Sequence, residues 1–507
     1  MTSATSPPTT EGVGFRSERG PVLGALMLTT GLVALDSTII ATAVPSIVQD
    51  VGGFTQFPWL FSIYLLTAAV SVPLYGKLAD VIGRKPLLFF GIAVFLLGSI
   101  LCGLAWSMPA LIAFRAVQGI GAGAIQPISM TVVGDLYSVA ERARVQGYLA
   151  SVWGASSVIG PTLGGLFAQY LSWRWIFFVN IPLGAVAAWM LLRHFSEKVT
   201  RRSHRLDYTG AGLLTVGCSL VILGLLEGGV SWAWGSAQSL VIFGVGAVLL
   251  LAFGLVERRA PEPVLPLWVF TRRTLAAGNL TAVAVGALTI GLSSYVPTYV
   301  QGVLGTGALV AGFALAALTV GWPLAATFSG RIYTRIGFRD TALIGAAVAL
   351  AGTLLCTRLG PTAQVWQVAG ACFVVGVGLG FLSSPVVVAV QSVVGWDRRG
   401  VVTGTNMFSR SLGSALGAAV FGAVANATLA SRLAHAPRAV AGSLPDDATS
   451  LVMSGHASRA HDAATEFVRA ALYAASHAVF VGLVAVAVLA VVALMLMPRR
   501  TEPLTFD

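Results

Sequence analysis

Apolar runs of membrane-crossing length recur along the whole chain, separated by short segments rich in Arg, Gly and Pro. Fourteen such runs are read at 21–43, 57–76, 87–106, 109–134, 143–169, 174–194, 209–228, 239–256, 275–300, 308–329, 340–358, 365–391, 402–426 and 472–497. Crossing ~30 Å of hydrocarbon at ~1.5 Å per residue takes ~20 apolar residues in a helix. The pattern therefore predicts an all-α integral membrane protein with fourteen transmembrane helices. Residues 1–20 are polar and contain no apolar run, so no cleavable signal peptide is expected and the first span itself serves as the targeting segment.

Composition agrees with this class: of 507 residues, 56% are hydrophobic, only 10% are charged and 58 are glycine. The formal charge of +11 suggests a polyanion partner until its placement is considered. The N-terminal tail, the C-terminal tail and the loops after even-numbered spans hold 23 of the 31 Lys and Arg residues. By the positive-inside rule these segments face the cytoplasm, which places both termini there in a multi-pass plasma-membrane protein. The bias of basic residues toward Arg, with many Ala, Gly and Val, suggests a bacterial source. The basic excess is a topology signal, and no nucleic-acid partner is expected. Cys102, Cys218, Cys356 and Cys372 all fall inside apolar spans without CxxC spacing, as small packing residues do. No GxxxxGK[ST] loop, metal-ligand cluster or nucleophile triad occurs. Neither an ATP-driven pump nor an enzyme is supported, and no cofactor or metal is expected.

An internal repeat organises the chain. GKLADVIGRK (76–85) follows the second span and GRIYTRIGFR (330–339) the tenth, with Gly, a basic residue and Ile-Gly at the same spacing. Helices 9–14 are thus expected to repeat helices 1–6, as in secondary transporters built from two related halves. The implied division is a tail at 1–20, a six-helix bundle at 21–194, linkers and an inserted pair of helices at 195–267, a second bundle at 268–497 and a tail at 498–507. Residues 427–471, rich in Ala, Ser, Arg and Asp, read as an extracellular connector, although TEFVRAALYAA allows a short surface helix. In the first repeat loop, Gly76 and Gly83 permit close approach and a tight turn. Asp80 can face the positive end of another helix, and Arg84 can pair with a carboxylate such as Asp135.

Two charges lie within the membrane. Asp36 stands inside GLVALDSTIIATAVP, where an ionised acid costs at least ~2.5–3.5 kcal/mol, which makes it a functional candidate. The first helix rises from the cytoplasm and places Asp36 ~22 Å up, while the descending fourth helix places Arg115 ~21 Å up. The shared level favours a pair, although the long Arg115 stem also allows snorkelling to the interface. Gln118 shares the face of Arg115 and can extend its hydrogen bonding. Arg410, in the thirteenth span, is expected to meet backbone or headgroups near the cytoplasmic third.

Residues 76–88 resemble motif A of the major facilitator superfamily. IAFRAVQGIGAG (112–123) is similar to its motif B. GPTLGG (160–165), with Gly154 ahead of it, is similar to its antiporter motif C. LDSTIIATAVP (35–45) and WRWIFFVNIPLG (173–184) resemble signatures of the fourteen-helix drug:proton antiporters. The resemblance implies two six-helix bundles alternating in access, with helices 1, 4, 9 and 12 lining a cavity and helices 7 and 8 peripheral. Gln118, Asn279, Tyr295, Ser383, Ser384 and Gln391 become cavity candidates. Gly76, Asp80, Gly83, Arg84 and Asp135 become a cytoplasmic latch against the start of helix 13. Thr334 stands where the first copy has Asp80, so no symmetric second latch is expected. Gly154, Gly160, Gly164 and Gly165 would let helix 5 press against a neighbour, with Pro161 bending it.

The function implied is a secondary antiporter that exports lipophilic drugs, dyes or antibiotics in exchange for protons, driven by the proton gradient. Asp36 would alternate between protonated and ionised forms, with Arg115 as its competing partner. Two other readings stay open: a dedicated exporter of one metabolite, such as a self-made antibiotic or siderophore, and a transporter-like sensor or scaffold.

Overall fold

The structure is a computed structural model that describes residues 14–52, 56, 59–197, 207–229, 231–260, 263–437 and 463–502. Among the described residues the chain forms fourteen long helices. The first six are α1 (Gly20–Val51), α2 (Trp59–Ile82), α3 (Arg84–Gly103), α4 (Met108–Leu136), α5 (Val139–Tyr170) and α6 (Trp175–His194), the last interrupted at Val179. Two follow as α7 (Tyr208–Glu227) and α8 (Ala237–Glu257). The remainder are α9 (Arg273–Thr298), α10 (Ala308–Ile336), α11 (Phe338–Thr357), α12 (Val365–Ser392), α13 (Arg399–Ala434) and α14 (Ala463–Met495).

Thirteen helices among the described residues are long and apolar enough to cross a membrane. The exception is α5, whose sequence mixes Arg142, Arg144, Gln146, Ser151, Ser156, Ser157 and several glycines into the apolar background. Its place in the packing accounts for this, because α5 is held between α1 of its own half and α10 of the other. A helix covered by protein on two sides tolerates small and polar residues that lipid would not.

The two halves use the same set of contacts. Helix α1 packs on α5 and α6, α4 on α2 and α3, and α3 on α6; α9 packs on α13 and α14, α12 on α10 and α11, and α11 on α14. The halves meet along α2–α13 and α5–α10, again a matched pair. Helices α7 and α8 pack chiefly on each other, with α7 touching α2 and α13.

The repeated Ile-Gly has a backbone cause. Gly83 and Gly337 adopt φ of 95° and 91°, and each directly precedes the next helix, α3 and α11 respectively. A β-carbon is strained there, so glycine is the residue that lets the chain reverse within one position.

The helices overrun the apolar runs that predict them. Helix α13 continues to Ala434 and α14 begins at Ala463, so both ends of the expected connector 427–471 are helical. Hydropathy marks where hydrocarbon ends, whereas a helix stops where its backbone bonds stop, and Ala-rich flanks such as ATLASRLA continue them. Residues 438–462 of that connector lie outside the described residues.

Candidate functional site

The buried charge pair forms inside the first bundle. Asp36 Oδ2 accepts from Arg115 Nη1 at 2.6 Å, and Asp36 and Arg115 are 0% and 1% exposed. Pairing, and not snorkelling, is therefore what the fold selects. Asp36 Oδ1 accepts from Gln118 Nε2 at 2.7 Å and Asn180 Nδ2 at 3.1 Å. Ser99 Oγ accepts from the same two amides at 2.8 and 3.3 Å. Arg115 also donates to the Leu60 carbonyl (3.2 Å) and Gln118 Oε1 (2.7 Å), and its guanidinium lies 4.1 Å from the centre of the Tyr64 ring. Helices α1, α2, α3, α4 and α6 thus converge on one carboxylate. Close packing makes this reachable: a Cβ on Gly98 of α3 would fall 2.6 Å from the Gln118 backbone nitrogen, so only glycine admits α4 at that depth.

The resemblance makes Gln118 a cavity candidate by its helix. The structure instead encloses it at 0% exposure between Asp36, Arg115 and Ser99. Asn180 and Ser99 are the members that sequence reasoning missed. Asn180 lies within WRWIFFVNIPLG and follows the break in α6 at Val179. A polar residue in an otherwise apolar span is the signal that could have found it.

The second cluster joins the two halves on the side carrying the α2–α3, α4–α5, α10–α11 and α12–α13 turns, here called the basic side. Asp80 accepts from the backbone N–H groups of Gly400 and Val401, both at 2.8 Å, at the first turn of α13. Unpaired N–H groups and the helix dipole favour an anion at that position. Gly76 and Gly404 bring the helices together, since a Cβ on Gly76 would fall 2.8 Å from the Gly400 carbonyl oxygen. Arg84, 0% exposed, lies 3.0 Å from Asp80 and 2.9 Å from Asp135, donates to the Trp396 carbonyl at 2.5 Å and stacks 3.7 Å from its ring. Asp135 also takes Arg399 Nη1 at 2.5 Å. The sequence motifs do not single out Trp396, Arg399 or Glu197. Glu197 accepts from the backbone N–H groups of Arg84 (3.0 Å) and Lys85 (2.8 Å) and so caps α3.

Among the described residues, the hydrogen bonds that join the halves lie on this side: those of Arg84, Asp80 and Asp135, Arg399 to the Gly134 carbonyl, Gln391 to the Met130 carbonyl, and Tyr333 to the Val139 carbonyl. The second-half copy has no matching acid; the Thr334 hydroxyl bonds back to Gly330 of its own helix. Asp80→Asn is expected to weaken this closure by the ~0.3–2 kcal/mol of a helix-terminus interaction, shifting the ratio of closed to open forms by less than about thirtyfold. Cysteine crosslinking across the opposite side measures that ratio, and an unaltered ratio in Asp80→Asn would remove the latch role.

The remaining candidates do not form one cluster. Gln391 Nε2 bonds the Met130 carbonyl (3.0 Å) and Thr403 (3.1 Å), which makes it part of the contact between halves. Ser384 bonds Ser329 of α10 at 3.1 Å within the second bundle. Ser383 and Tyr295 are half-buried, and Asn279 meets Asn406 of α13 at 3.4 Å. Of the α5 glycines, Gly160 and Gly164 lie against Thr38 and Ile39 of α1, and Gly154 lies against Thr319 of α10. A Cβ added at Gly165 would meet nothing within 4 Å, so the packing expectation fails there. Pro161 lies inside α5. On the opposite side, hydrogen bonds from the Trp173 indole and Arg174 hold the Asp50 carboxyl below the usual carboxylate range and tie the end of α1 to the start of α6. Arg410 has no hydrogen-bond or ion-pair partner for its guanidinium among the described residues, so the backbone contact expected as one alternative is not made.

Two pseudo-repeated helical bundles, closed against each other on one side and holding a buried acid–base pair in the first, define a secondary-transporter architecture. The chain belongs to the Major Facilitator Superfamily, whose family model matches residues 26–418. It is 37% identical over 425 residues to multidrug resistance protein 3 of Bacillus subtilis, covering 84% of this chain and 82% of that one. It is 33% identical over 437 residues to the multidrug transporter protein MdtP of the same organism, covering 86% and 81%. The fold is also that of a bacterial homologue of the iron transporter ferroportin in its outward-facing state, at a TM-score of 0.61 and 12% identity over 94% of this chain and 98% of that one.

Proposed function

We propose that this protein is a proton-coupled antiporter that exports lipophilic drugs, dyes or antibiotics through a plasma membrane crossed fourteen times, with both termini in the cytoplasm. The observation that carries the reading is the carboxylate of Asp36, enclosed in α1 with Arg115, Gln118 and Asn180 as its donors. A buried acid whose ionised form is held by three donors changes its surroundings when it takes a proton, because the charge that holds the arginine is lost and one of its two oxygens becomes a donor. The names of the two Bacillus relatives, a multidrug resistance protein and a multidrug transporter, support drugs as the cargo.

If the basic side faces the cytoplasm, the closure by Asp80, Arg84 and Asp135 corresponds to a form open to the outside. A proton arriving from outside neutralises Asp36 and weakens its hold on Arg115 and Gln118. Both stand on α4, whose other end carries Asp135 and the Gly134 carbonyl that hold Arg399. A shift of α4 is the physical link from protonation to the latch. Substrate entering from the cytoplasm then favours release of the proton inward. The test is a resistance and efflux panel in a pump-deficient bacterial host, with and without an uncoupler. Export of several unrelated lipophilic compounds, abolished by the uncoupler, is the expected result. Export of a single compound would establish a dedicated exporter, and export insensitive to the uncoupler would end the proton-coupled reading.

A further inference from the structure

Outside the Asp36 cluster and the latch, the buried charges Arg142, Glu227 and Glu257 all have hydrogen-bond partners, whereas the Arg410 guanidinium has none among the described residues. Helices α9, α10, α12 and α13 contain no Asp or Glu anywhere in their length, yet α13 carries Arg410 eleven residues beyond its first residue, Arg399. At ~1.5 Å per residue this is ~16 Å into the helix. Asp36 is already paired with Arg115, so among the described residues the Arg410 charge is uncompensated. The Arg410 side chain is half-buried. Its edge of α13 runs along α9, where Ser414 Oγ bonds the Gly286 carbonyl at 3.2 Å.

Two neutral donors lie near the same level along the helices. Long side chains in helices point toward the N-terminal turn, which brings the Arg410 guanidinium down to the level of Asn406. Asn406 Nδ2 donates to the Gly278 carbonyl at 3.0 Å and to Asn279 Oδ1 at 3.4 Å. The carbonyl fixes the orientation of Asn406, which in turn fixes the oxygen of Asn279 toward it and turns the Asn279 amide nitrogen away. That nitrogen is buried without a partner, in a residue only 5% exposed. The second donor is Gln126 of α4, whose Nε2 is likewise buried and unpaired. Its level follows from register: α4 and α13 run antiparallel, with Gly134 against Arg399 and Met130 joined to Thr403 through Gln391. One further turn places Gln126 opposite Met407, within a turn of Arg410.

We propose that the region bordered by Arg410, Asn279 and Gln126 receives the acidic group of the cargo, so that amphipathic organic anions, carboxylates or phenolates, are preferred substrates. This rests on the export reading above and names its substrate class. A guanidinium and two amide N–H groups with no acceptor among them are the complement of an oxyanion. The planar fork of arginine matches the two oxygens of a carboxylate, and buried donors left unmet are costly. The acid that couples protons, Asp36, is enclosed in the first bundle and does not compete for this position.

The test uses the full chain in proteoliposomes under an imposed pH gradient, with two dyes that share a xanthene core, anionic fluorescein and cationic rhodamine 123, quantified by filtration and extraction. Wild-type protein is expected to transport fluorescein with the lower half-saturation concentration. Arg410→Gln should lower the ratio of fluorescein to rhodamine rates at least about tenfold, the loss of one charge-assisted hydrogen bond, and Arg410→Lys should recover part of it. An unchanged ratio in Arg410→Gln overturns the anion seat. So does wild-type transport of rhodamine 123 with no preference for fluorescein, an outcome that decides the matter even if Arg410→Gln does not insert, and that leaves drug export standing. Transport of neither dye counts against the export reading itself and removes the inference with it.

Discussion

Asp36→Asn is expected to abolish uphill drug accumulation in proteoliposomes driven by a pH gradient, while energy-independent drug binding persists. Asparagine preserves the shape of the side chain and removes the only proton-accepting group in the cluster. It keeps one oxygen for the three donors now converging on the carboxylate, Arg115, Gln118 and Asn180, and turns an N–H group toward the others. Arg115 is not abandoned, because Gln118 Oε1, the Leu60 carbonyl and the face of Tyr64 remain around it. The cost in stability should therefore stay near the ~1–3 kcal/mol of an imperfectly met buried donor. Undiminished uphill transport by Asp36→Asn would remove Asp36 from the coupling step.

Arg115→Ala should have the larger effect on stability. It removes the only cation paired with Asp36 among the described residues and leaves a fully buried carboxylate with two neutral amides as donors. Breaking a buried ion pair by deleting one partner costs about 3–5 kcal/mol, because the remaining charge stays desolvated. The truncation also opens space under Tyr64 and frees the Leu60 carbonyl. Thermal melting in detergent should rank wild type above Asp36→Asn and Asp36→Asn above Arg115→Ala. The double variant Asp36→Asn/Arg115→Ala should melt above Arg115→Ala alone, since the charge left unpaired has been removed with its partner; contacting residues couple by about 0.5–3 kcal/mol. A double variant no more stable than Arg115→Ala would show that the Arg115 side chain acts by packing and not as a counter-ion.

Several parts of the site are legible in the amino-acid sequence. Asp36 and Arg115 can be matched by depth, because helix rise is constant and the membrane sets a common origin for both helices. The Asp80 and Arg84 contacts can be read from a short loop whose neighbours are few. The partners contributed by distant segments cannot. Asn180 reaches Asp36 from α6, just after its interruption at Val179, and Trp396 and Arg399 meet Arg84 and Asp135 across more than three hundred and about two hundred and sixty residues of sequence separation. The polar cavity candidates disperse for a related reason: the depth of Gln118 and Ser384 is set by sequence, but the side each turns to is set by how its helix is rotated against its neighbours.

The sequence by itself determined the apolar helices, their order, the two-fold repeat and the uneven distribution of basic residues. These depend on local chemistry acting against lipid and water, which is the same whatever the neighbouring helices do. Only the tertiary structure decided that Arg115 pairs and does not snorkel, that Gln118 is enclosed, that the basic side is closed and that Arg410 stands without a counter-ion among the described residues. Each of these outcomes turns on a few ångströms between helices far apart in the chain, and apolar spans of nearly uniform composition leave little in the sequence to specify helix rotation. Glycines supply that information where a close approach is required, as Gly76 and Gly98 do, and their meaning becomes visible only when the opposing helix is in place.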